Sequence, residues 1–281
     1  MHKYIELHQN GGTCRLKAPA EHPLEMLRRT YPLYDVFFPK LAALVARSTY
    51  GHVVDVGANI GDTIALCRLE GCEAPIVAVE PSEVYFSYLI DNLATSPDLF
   101  GDTSAIQAFA GRAGDALALV HAGGTASPVG RADGGGVTQT ISLGDLDLDA
   151  IALVKVDTDG YDAAVLEASL DTLTDQLPIV WAETEVALDD VEGTRRWRGL
   201  LERLEPCYSL ACAFDNFGFP VCAGPLRDVG RTISDLIDYA WRHRRASFAA
   251  CGRPTLYYLD IGLFPPDSSK DFEEFVALSR R

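Results

Sequence analysis

The chain has 281 residues, of which 48% are hydrophobic and 23% are charged, an ordinary composition for a globular α/β domain. Its 40 acidic residues outnumber its 24 basic ones, giving a formal net charge of −16. A field of that sign repels phosphate backbones, so nucleic acid is not the expected partner. The seven cysteines form no C-x-x-C pair, and no apolar run reaches the roughly 18 residues of a membrane span. We therefore predict a cytoplasmic protein with reduced thiols and no membrane partner.

Residues 1–50 are predicted to form a partly helical N-terminal extension, followed by one larger domain at 51–281. Within the extension, residues 32–48 place apolar groups at helical spacing, although Pro39 is expected to kink or restart the helix. From Val53 onward, short runs rich in Val and Ile alternate with segments of helical period, which predicts a doubly wound α/β sheet. Strands are predicted near 53–56, 76–80, 105–109, 151–157, 178–184, 207–214 and 255–263, and helices near 61–70, 82–95, 160–169, 193–204, 229–246 and 270–280.

The connection between the third and fourth predicted strands is long. It holds two apolar/polar alternations, at residues 117–121 and 137–141, that are able to pair as an extra hairpin. Between them, residues 123–136 contain six glycines. Ordering such a segment costs much conformational entropy, so we expect it to be mobile unless a ligand holds it.

The first predicted strand runs into a turn, Gly57-Ala58-Asn59-Ile60-Gly61, and Glu80 stands at the end of the second strand. Glycine lets a backbone approach a ligand closely, and a carboxylate at the second strand tip can accept both hydroxyls of a ribose. The turn lacks the third glycine of the dinucleotide fingerprint, so a cofactor without a pyrophosphate is favoured. S-adenosylmethionine fits, since nearby acids suit its amino and sulfonium groups. The candidate cofactor residues here are Asp55, Gly57, Ala58, Asn59, Gly61, Glu80, Pro81 and Ser82.

A ten-residue block at 153–162, Leu-Val-Lys-Val-Asp-Thr-Asp-Gly-Tyr-Asp, makes the pattern more specific. With it, the chain resembles the FkbM family of S-adenosylmethionine-dependent methyltransferases. That family combines a D-V-G-A-N-x-G turn, an E-P pair and a K-I-D-V-E-G-x-E block, and all three recur here in order, with Asp159 and Asp162 replacing glutamates. The resemblance covers roughly residues 50–265. It implies a class I, Rossmann-like fold with a seven-stranded sheet, adenine contacts at Ala110 and Gly111, and acceptors such as sugars or natural-product intermediates.

Acidic residues at two strand ends are the candidates for catalysis. Asp157 ends the predicted fourth strand, where open α/β sheets place their ligands. Methyl transfer requires in-line placement of the acceptor, and a hydroxyl acceptor also benefits from a base. The candidate catalytic residues are Asp157, Asp159, Glu183 and His121. Asp157 is also a candidate for orienting the ammonium group of the cofactor, and this is the role we favour for it.

The same acids allow a metal-site hypothesis. Asp157, Asp159 and Asp162 occur within six positions, and Glu183 and Glu185 would lie on the neighbouring strand end. The alternative is that Asp159 caps the following helix while Asp162 occupies its first turn. We favour capping and predict no metal, because no motif specifies a coordination geometry.

These observations predict an S-adenosylmethionine-dependent O-methyltransferase acting on a small-molecule hydroxyl. N-methylation is less favoured because no D/N-P-P-Y/F block follows the fourth strand. A non-catalytic S-adenosylmethionine-binding protein is a further alternative, and a nicotinamide dehydrogenase would need the missing glycine and a Tyr-x-x-x-Lys pair. The basic run at 241–245 is interpreted as a solvated helix face rather than an anion site. The sequence leaves the oligomeric state open, a homodimer included.

Overall fold

A computed structural model describes residues 1–112, 118–122, 124–129, 139–250 and 256–280. The strands in chain order are β1 His2–Gln9, β2 Gly12–Pro19, β3 His52–Val56, β4 Ile76–Val79, β5 Thr103–Ile106, β6 Phe109–Ala110, β7 Ala118–Ala122, β8 Thr125–Val129, β9 Thr140–Ile141, β10 Ile151–Val156, β11 Ile179–Glu183, β12 Leu210–Asp215, β13 Pro220–Pro225 and β14 Leu259–Phe264. The α-helices are α1 Leu24–Thr30, α2 Phe37–Ser48, α3 Asp62–Glu70, α4 Glu83–Thr95, α5 Pro97–Phe100, α6 Asp162–Ala168, α7 Leu170–Gln176, α8 Gly193–Leu204, α9 Leu226–Ala250 and α10 Ser269–Ser279. Short 3-10 helices lie at Leu143–Leu146 and Pro266–Ser268.

The central sheet has the strand order β13-β12-β14-β11-β10-β3-β4-β5. Five neighbouring strands of this sheet, β11, β10, β3, β4 and β5, are parallel to one another. β14 is inserted antiparallel between β11 and β12. The predicted doubly wound α/β class is therefore confirmed. The predicted count of seven strands is one too low for the described part of the chain, because β13 joins the edge as an eighth. Its sequence, Pro-Val-Cys-Ala-Gly-Pro, begins and ends in proline, which conceals the strand from pattern reasoning.

Fully buried strands lie at the centre of this sheet. Every residue of β10 and β11 is buried, which explains their nearly continuous apolar runs, since helices cover both faces. Side chains alternate between the faces, so Val54 and Val154 enter one core while Val53 and Leu153 enter the other. Asp55 and Lys155 share the second face, because β3 and β10 pair Asp55 with Lys155. Two charged residues are thereby buried side by side among apolar neighbours.

The N-terminal extension begins with a β-hairpin that the sequence prediction missed. β1 and β2 pair antiparallel around Asn10 and Gly11, which have φ angles of 48° and 76°. An Asn-Gly pair between alternating strands is a strong hairpin signal, so the information was present in the sequence. Helix α2 ends where predicted but begins at Phe37, five residues after the start of the predicted helical pattern. Pro39 lies in its first turn, where proline is tolerated, and need not kink it. Residues of the hairpin share a hydrophobic core with β3 and α3.

The long connection pairs differently from the prediction. β7 forms a hairpin with β8, whereas β9 pairs in parallel with β6. The described parts of the two alternations, residues 118–121 and 139–141, are therefore not partners, because Ala122 already pairs with Thr125. Of the glycine-rich segment predicted to be mobile, residues 123 and 130–136 lie outside the described residues, and 125–129 form β8. No helix in the described part of the chain is long and apolar enough to cross a bilayer.

Candidate active site

The turn after β3 is shaped by backbone conformations that favour glycine. Gly57, Asn59 and Gly61 have φ angles of 86°, 48° and 87°. The backbone N–H groups of Gly57 and Ala58 both donate to the Val79 carbonyl, at 2.9 and 3.1 Å, which ties the turn to the end of β4. A Cβ atom added to Gly57 would lie 1.8 Å from the carbonyl oxygen of Asp157. Only glycine allows the ends of β3 and β10 to approach so closely.

Glu80 follows β4, and its carboxylate is fixed by two backbone amides. Its Oε2 accepts from Asn59 N at 2.8 Å, and its Oε1 accepts from Ser82 N at 2.8 Å. The side chain is 4% exposed, and burial raises the pKa of Glu80 to about 7 although these two hydrogen bonds lower it. Each carboxylate oxygen keeps a lone pair after one hydrogen bond. The group is thus preorganised to accept two further hydroxyl hydrogens.

A cleft opens at the carboxyl ends of β3, β4 and β10. The predicted cofactor residues that line it are Gly57, Asn59, Glu80, Pro81, Ala110 and Asp157. The structure does not bring the others to its surface: Ala58 and Ser82 are buried inside the turns, and Gly61 precedes α3. Phe109 and Tyr161 also line the cleft and were not predicted. Only their positions, next to Ala110 and inside the 153–162 block, could have indicated them.

Lys155 is the most informative residue that the sequence prediction left without a role. It is 4% exposed, and its Nζ lies 2.7 Å from Asp157 Oδ2 and 3.6 Å from Asp55 Oδ1. Asp55 was predicted to contact the cofactor, but it lies behind Lys155, 1% exposed, and both of its carboxylate oxygens lack a hydrogen-bond partner among the described residues. Burial raises the pKa of Asp55 to about 6, while Lys155 lowers it. Asp55 therefore reaches the cleft only through the lysine that positions Asp157.

In the loop after β10, Asp159 was predicted to cap the following helix, and this prediction is wrong. Helix α6 begins at Asp162 with Tyr161 as its N-cap, so Asp159 precedes the cap and instead lines the cleft. Asp162 reaches back and accepts from Thr158 N at 3.1 Å and from Gly160 N at 3.2 Å. Asp159 has a positive φ of 52° and Gly160 one of 97°. These conformations fold the loop so that its amides meet Asp162, and burial raises the pKa of that carboxyl well above its usual range.

Three acids lie side by side where β10, β11 and β14 meet, and we call them the acidic edge: Asp157, Glu183 and Asp260. β11 pairs Glu183 with Asp260, and β10 pairs Val156 with Ala182, which brings Asp157 level with Glu183. Glu183 is 8% exposed. Its pKa is raised well above the usual range, first by burial and then by the charge of Asp157. In these surroundings the Glu183 carboxylate holds a proton more tightly than an exposed glutamate does.

Glu185 does not join the acidic edge. It forms an ion pair with Arg244, which is 5% exposed and also donates to the Tyr257 carbonyl at 3.3 Å. Arg244 therefore departs from the prediction of a solvated basic face, whereas Arg242 agrees with it, forming a largely exposed pair with Asp238 at 2.7 Å. Among the described residues, no group of three or more His, Cys, Asp or Glu is arranged to hold a metal ion.

His121, a predicted base, lies on the β7–β8 hairpin. Its Nε2 is 2.8 Å from Ser82 Oγ, and its ring packs 5.8 Å from that of Tyr85. Ser82 belongs to the turn after β4 that contains Glu80. His121 therefore attaches the β7–β8 hairpin beside the end of β4 and not at the acidic edge. The hairpin is also held at Gly124, whose carbonyl accepts from Asn59 Nδ2 at 3.1 Å. The structure thus separates His121 from Glu183, with which it was grouped in sequence.

The assembled features are a glycine turn, an amide-held carboxylate and an acid at the central strand end. The model of the methyltransferase FkbM domain matches residues 55–205, more than half of the chain. The chain belongs to the FkbM methyltransferase family. The family resemblance predicted from the three motifs is confirmed, and in this FkbM-family chain those motifs occupy the turn after β3, the turn after β4 and the loop after β10.

Solved structures similar to this FkbM-family chain are distant. A methyltransferase FkbM from Methylobacillus flagellatus KT is 17% identical, with a TM-score of 0.37 and coverage of 48% of this chain and 33% of that one. M. jannaschii TYW2 in complex with AdoMet is 11% identical, with a TM-score of 0.39 and coverage of 94% and 86%. An rRNA methylase from Streptococcus thermophilus is 11% identical, with a TM-score of 0.44 and coverage of 80% and 93%. The match thus spans one third of the M. flagellatus chain. No curated protein matches.

Proposed function

We propose that this chain binds S-adenosylmethionine in the cleft and transfers its methyl group to a hydroxyl of a small-molecule acceptor. The observation that carries the proposal is the carboxylate of Glu80, which is buried, held by two amides and among the residues that line the cleft. A ribose would satisfy it through its two hydroxyls.

The remaining cleft residues fit the other parts of the cofactor. Phe109 and Ala110 form an apolar wall on one side of Glu80, suited to adenine. The Gly57 turn and Asp157 lie on the opposite side, toward β10, and suit the amino-acid end. Asp157 is already fixed by Lys155 at 2.7 Å, so it presents a stationary carboxylate to an ammonium group. In that orientation the methyl-bearing sulfur would lie toward the acidic edge.

In this reaction the protein has to position the cofactor and the acceptor and to remove one proton from the acceptor hydroxyl. S-adenosylmethionine supplies an electrophilic methyl carbon, to which the acceptor oxygen bonds as the sulfur–carbon bond breaks and the sulfur becomes a neutral thioether. Glu183 accepts the hydroxyl proton, because its raised pKa brings it closer to that of an effective general base than an ordinary carboxylate. Asp157 orients, and Asp55 with Lys155 holds Asp157 in place.

Substitution of Glu80 tests the cofactor site. Glu80→Ala is expected to weaken S-adenosylmethionine binding by about 1–3 kcal/mol, the scale for losing charge-assisted hydrogen bonds at a buried site. Glu83→Ala is the matched control, because Glu83 is exposed in the first turn of the adjacent helix. Calorimetric titration measures the affinity, and circular dichroism checks the fold.

Equal affinity in the two variants would remove the ribose assignment. Tighter binding of NAD than of S-adenosylmethionine by the unaltered chain would favour a dehydrogenase instead. Turnover of bound cofactor in the presence of hydroxyl and amine acceptors separates O-methylation from N-methylation and from binding without catalysis.

A further inference from the structure

A second cavity, of about 20 Å³, lies on the far side of the acidic edge from the cofactor cleft. It has room for a group of about the size of a water molecule, such as an ammonium group. Its floor is formed by Trp181 and Phe214, which are 5% and 2% exposed. The loop between α1 and α2 forms one wall with Tyr34 and Asp35, and the start of β14 forms the other with Tyr258 and Asp260. The cavity is therefore built from aromatic rings and two carboxyl groups, contributed by both ends of the chain.

The acidic edge runs between this cavity and the cofactor cleft. Asp157 lines the cleft, Asp260 lines the second cavity, and Glu183 stands between them on β11. Two strand spacings separate Asp157 from Asp260, or about 10 Å. One small molecule can span that distance, with one end in the second cavity and the other beside the methyl group. Charge coupling agrees with this proximity, since the pKa of Asp260 is raised first by burial and then by Asp35 and Asp157.

The second cavity has an excess of acid over base. Burial raises the pKa of Asp35 to about 7, and Lys155 lowers it, but that lysine is already paired with Asp157 at 2.7 Å. A cation inside the cavity would compensate the carboxyl groups directly. It would also lie near the rings of Tyr34 and Tyr258, and cation–π attraction is stronger at sites removed from water. A neutral polyol would gain neither interaction.

We propose that the second cavity binds a protonated amine of the methyl acceptor, so that the acceptors are amino alcohols such as amino sugars. The ammonium group lies between Asp35 and Asp260, and the hydroxyl of the same molecule reaches Glu183. This inference rests on the proposed function, because it assigns the acceptor half of the same reaction. Methylation remains on oxygen, since the amine is held about two strand spacings from the cofactor cleft.

Matched probes test the proposal. The full chain, saturated with S-adenosylhomocysteine, is titrated with glucosamine and tyramine and with their neutral counterparts glucose and tyrosol, by ligand-observed NMR. In each pair an ammonium group replaces a hydroxyl. The amines are expected to bind about tenfold or more tightly than their neutral partners, the range of a desolvated ion pair with cation–π support.

Two variants locate the preference. Asp260→Asn and Asp35→Asn should each reduce the preference for amines to near unity. Asp35 has a φ of 54°, a conformation that asparagine adopts readily, so Asp35→Asn keeps the loop even if Asp260→Asn disturbs the sheet. Asp267→Asn, at an exposed position in the 3-10 helix before α10, is the control and should keep the preference.

Three results would overturn the proposal: equal affinity for amine and neutral probes, no binding of either amine, or a preference that survives both cavity substitutions. Cofactor titration separates this failure from that of the proposed function. If S-adenosylmethionine binds in a Glu80-dependent manner while amines are not preferred, only the acceptor assignment fails. If S-adenosylmethionine does not bind, the methyltransferase proposal itself fails, whatever the amines do.

Discussion

Replacement of Gly57 by alanine tests whether the close approach of β3 and β10 builds the cofactor site. The added Cβ would lie 1.8 Å from the Asp157 carbonyl oxygen and 2.9 Å from its carbonyl carbon. Real Cβ contacts are longer by more than an ångström, so one strand end must move. Because the obstructing atoms are backbone, the side chain cannot rotate to relieve the overlap.

The expected loss of stability has two parts. Alanine at the φ of 86° found at Gly57 costs roughly 1–2 kcal/mol, the penalty for a side chain in the left-handed region. Forcing a methyl group into a packed site adds roughly 1–3 kcal/mol. The free energy of unfolding should therefore fall by roughly 2–5 kcal/mol. The same displacement moves Asp157, so S-adenosylmethionine affinity should fall about tenfold or more, since ångström misplacements cost that much.

Gly71→Ala provides the matched control. Gly71 has a φ of 96° at the end of α3, is exposed, and has no described heavy atom within 4 Å of an added Cβ. It pays the conformational penalty alone, roughly 1–2 kcal/mol, and should leave cofactor affinity unchanged. Urea denaturation measures the free energy of unfolding, and calorimetry measures the affinity. Equal losses of stability and affinity in the two variants would refute the argument from close approach.

Three further predictions concern the site. S-adenosylmethionine affinity should rise between about pH 5 and pH 8, because Glu80, with a pKa raised by burial to about 7, must ionise to accept two hydroxyls, and Glu80→Gln should flatten that calorimetric profile. Asp157→Asn should weaken cofactor binding with little change in kcat at saturation, whereas a fall in kcat of roughly 10²–10⁴-fold at unchanged affinity would make Asp157 the base. Activity should survive exhaustive chelation with EDTA, since the predicted reaction needs no metal, and a loss restored by magnesium would contradict this.

The sequence located the strand ends better than it located the side chains. Glu80 and Asp157 were predicted because the residue after a buried apolar run must emerge at the edge of the sheet. Asp55 lies inside the apolar run of β3, not after it. No sequence pattern shows that Lys155 on the neighbouring strand lies between Asp55 and the cleft. His121 was grouped with the acids by residue type alone, and its position depends on a hairpin whose register the alternation did not determine.

Features formed by residues far apart in the chain could not be predicted from sequence patterns. The second cavity joins the loop at Tyr34 to the start of β14, and no local pattern relates the two. Asp162 lies in the first turn of α6 as predicted, but it also binds the loop amides while Asp159 lines the cleft, and that arrangement depends on two positive φ angles, which aspartate and glycine permit but do not require. By contrast, the β1–β2 hairpin carried a local signal at Asn10 and Gly11 and was open to prediction.

One amide side chain links the turn after β3 to the part of the chain that precedes the family domain. Asn92 on α4 accepts from Lys17 N at 2.8 Å and donates to Lys17 O at 3.0 Å and to Ile60 O at 2.9 Å. It thereby joins the first hairpin to the turn after β3, although the family match begins only at residue 55. Without the residues before position 55, the Asn92 amide would lose both hydrogen bonds to Lys17 and keep the one to Ile60, and the apolar surface that packs against the hairpin would be exposed to solvent. The family domain of this protein is therefore not structurally independent, because it packs against and hydrogen-bonds with the chain's own first fifty residues.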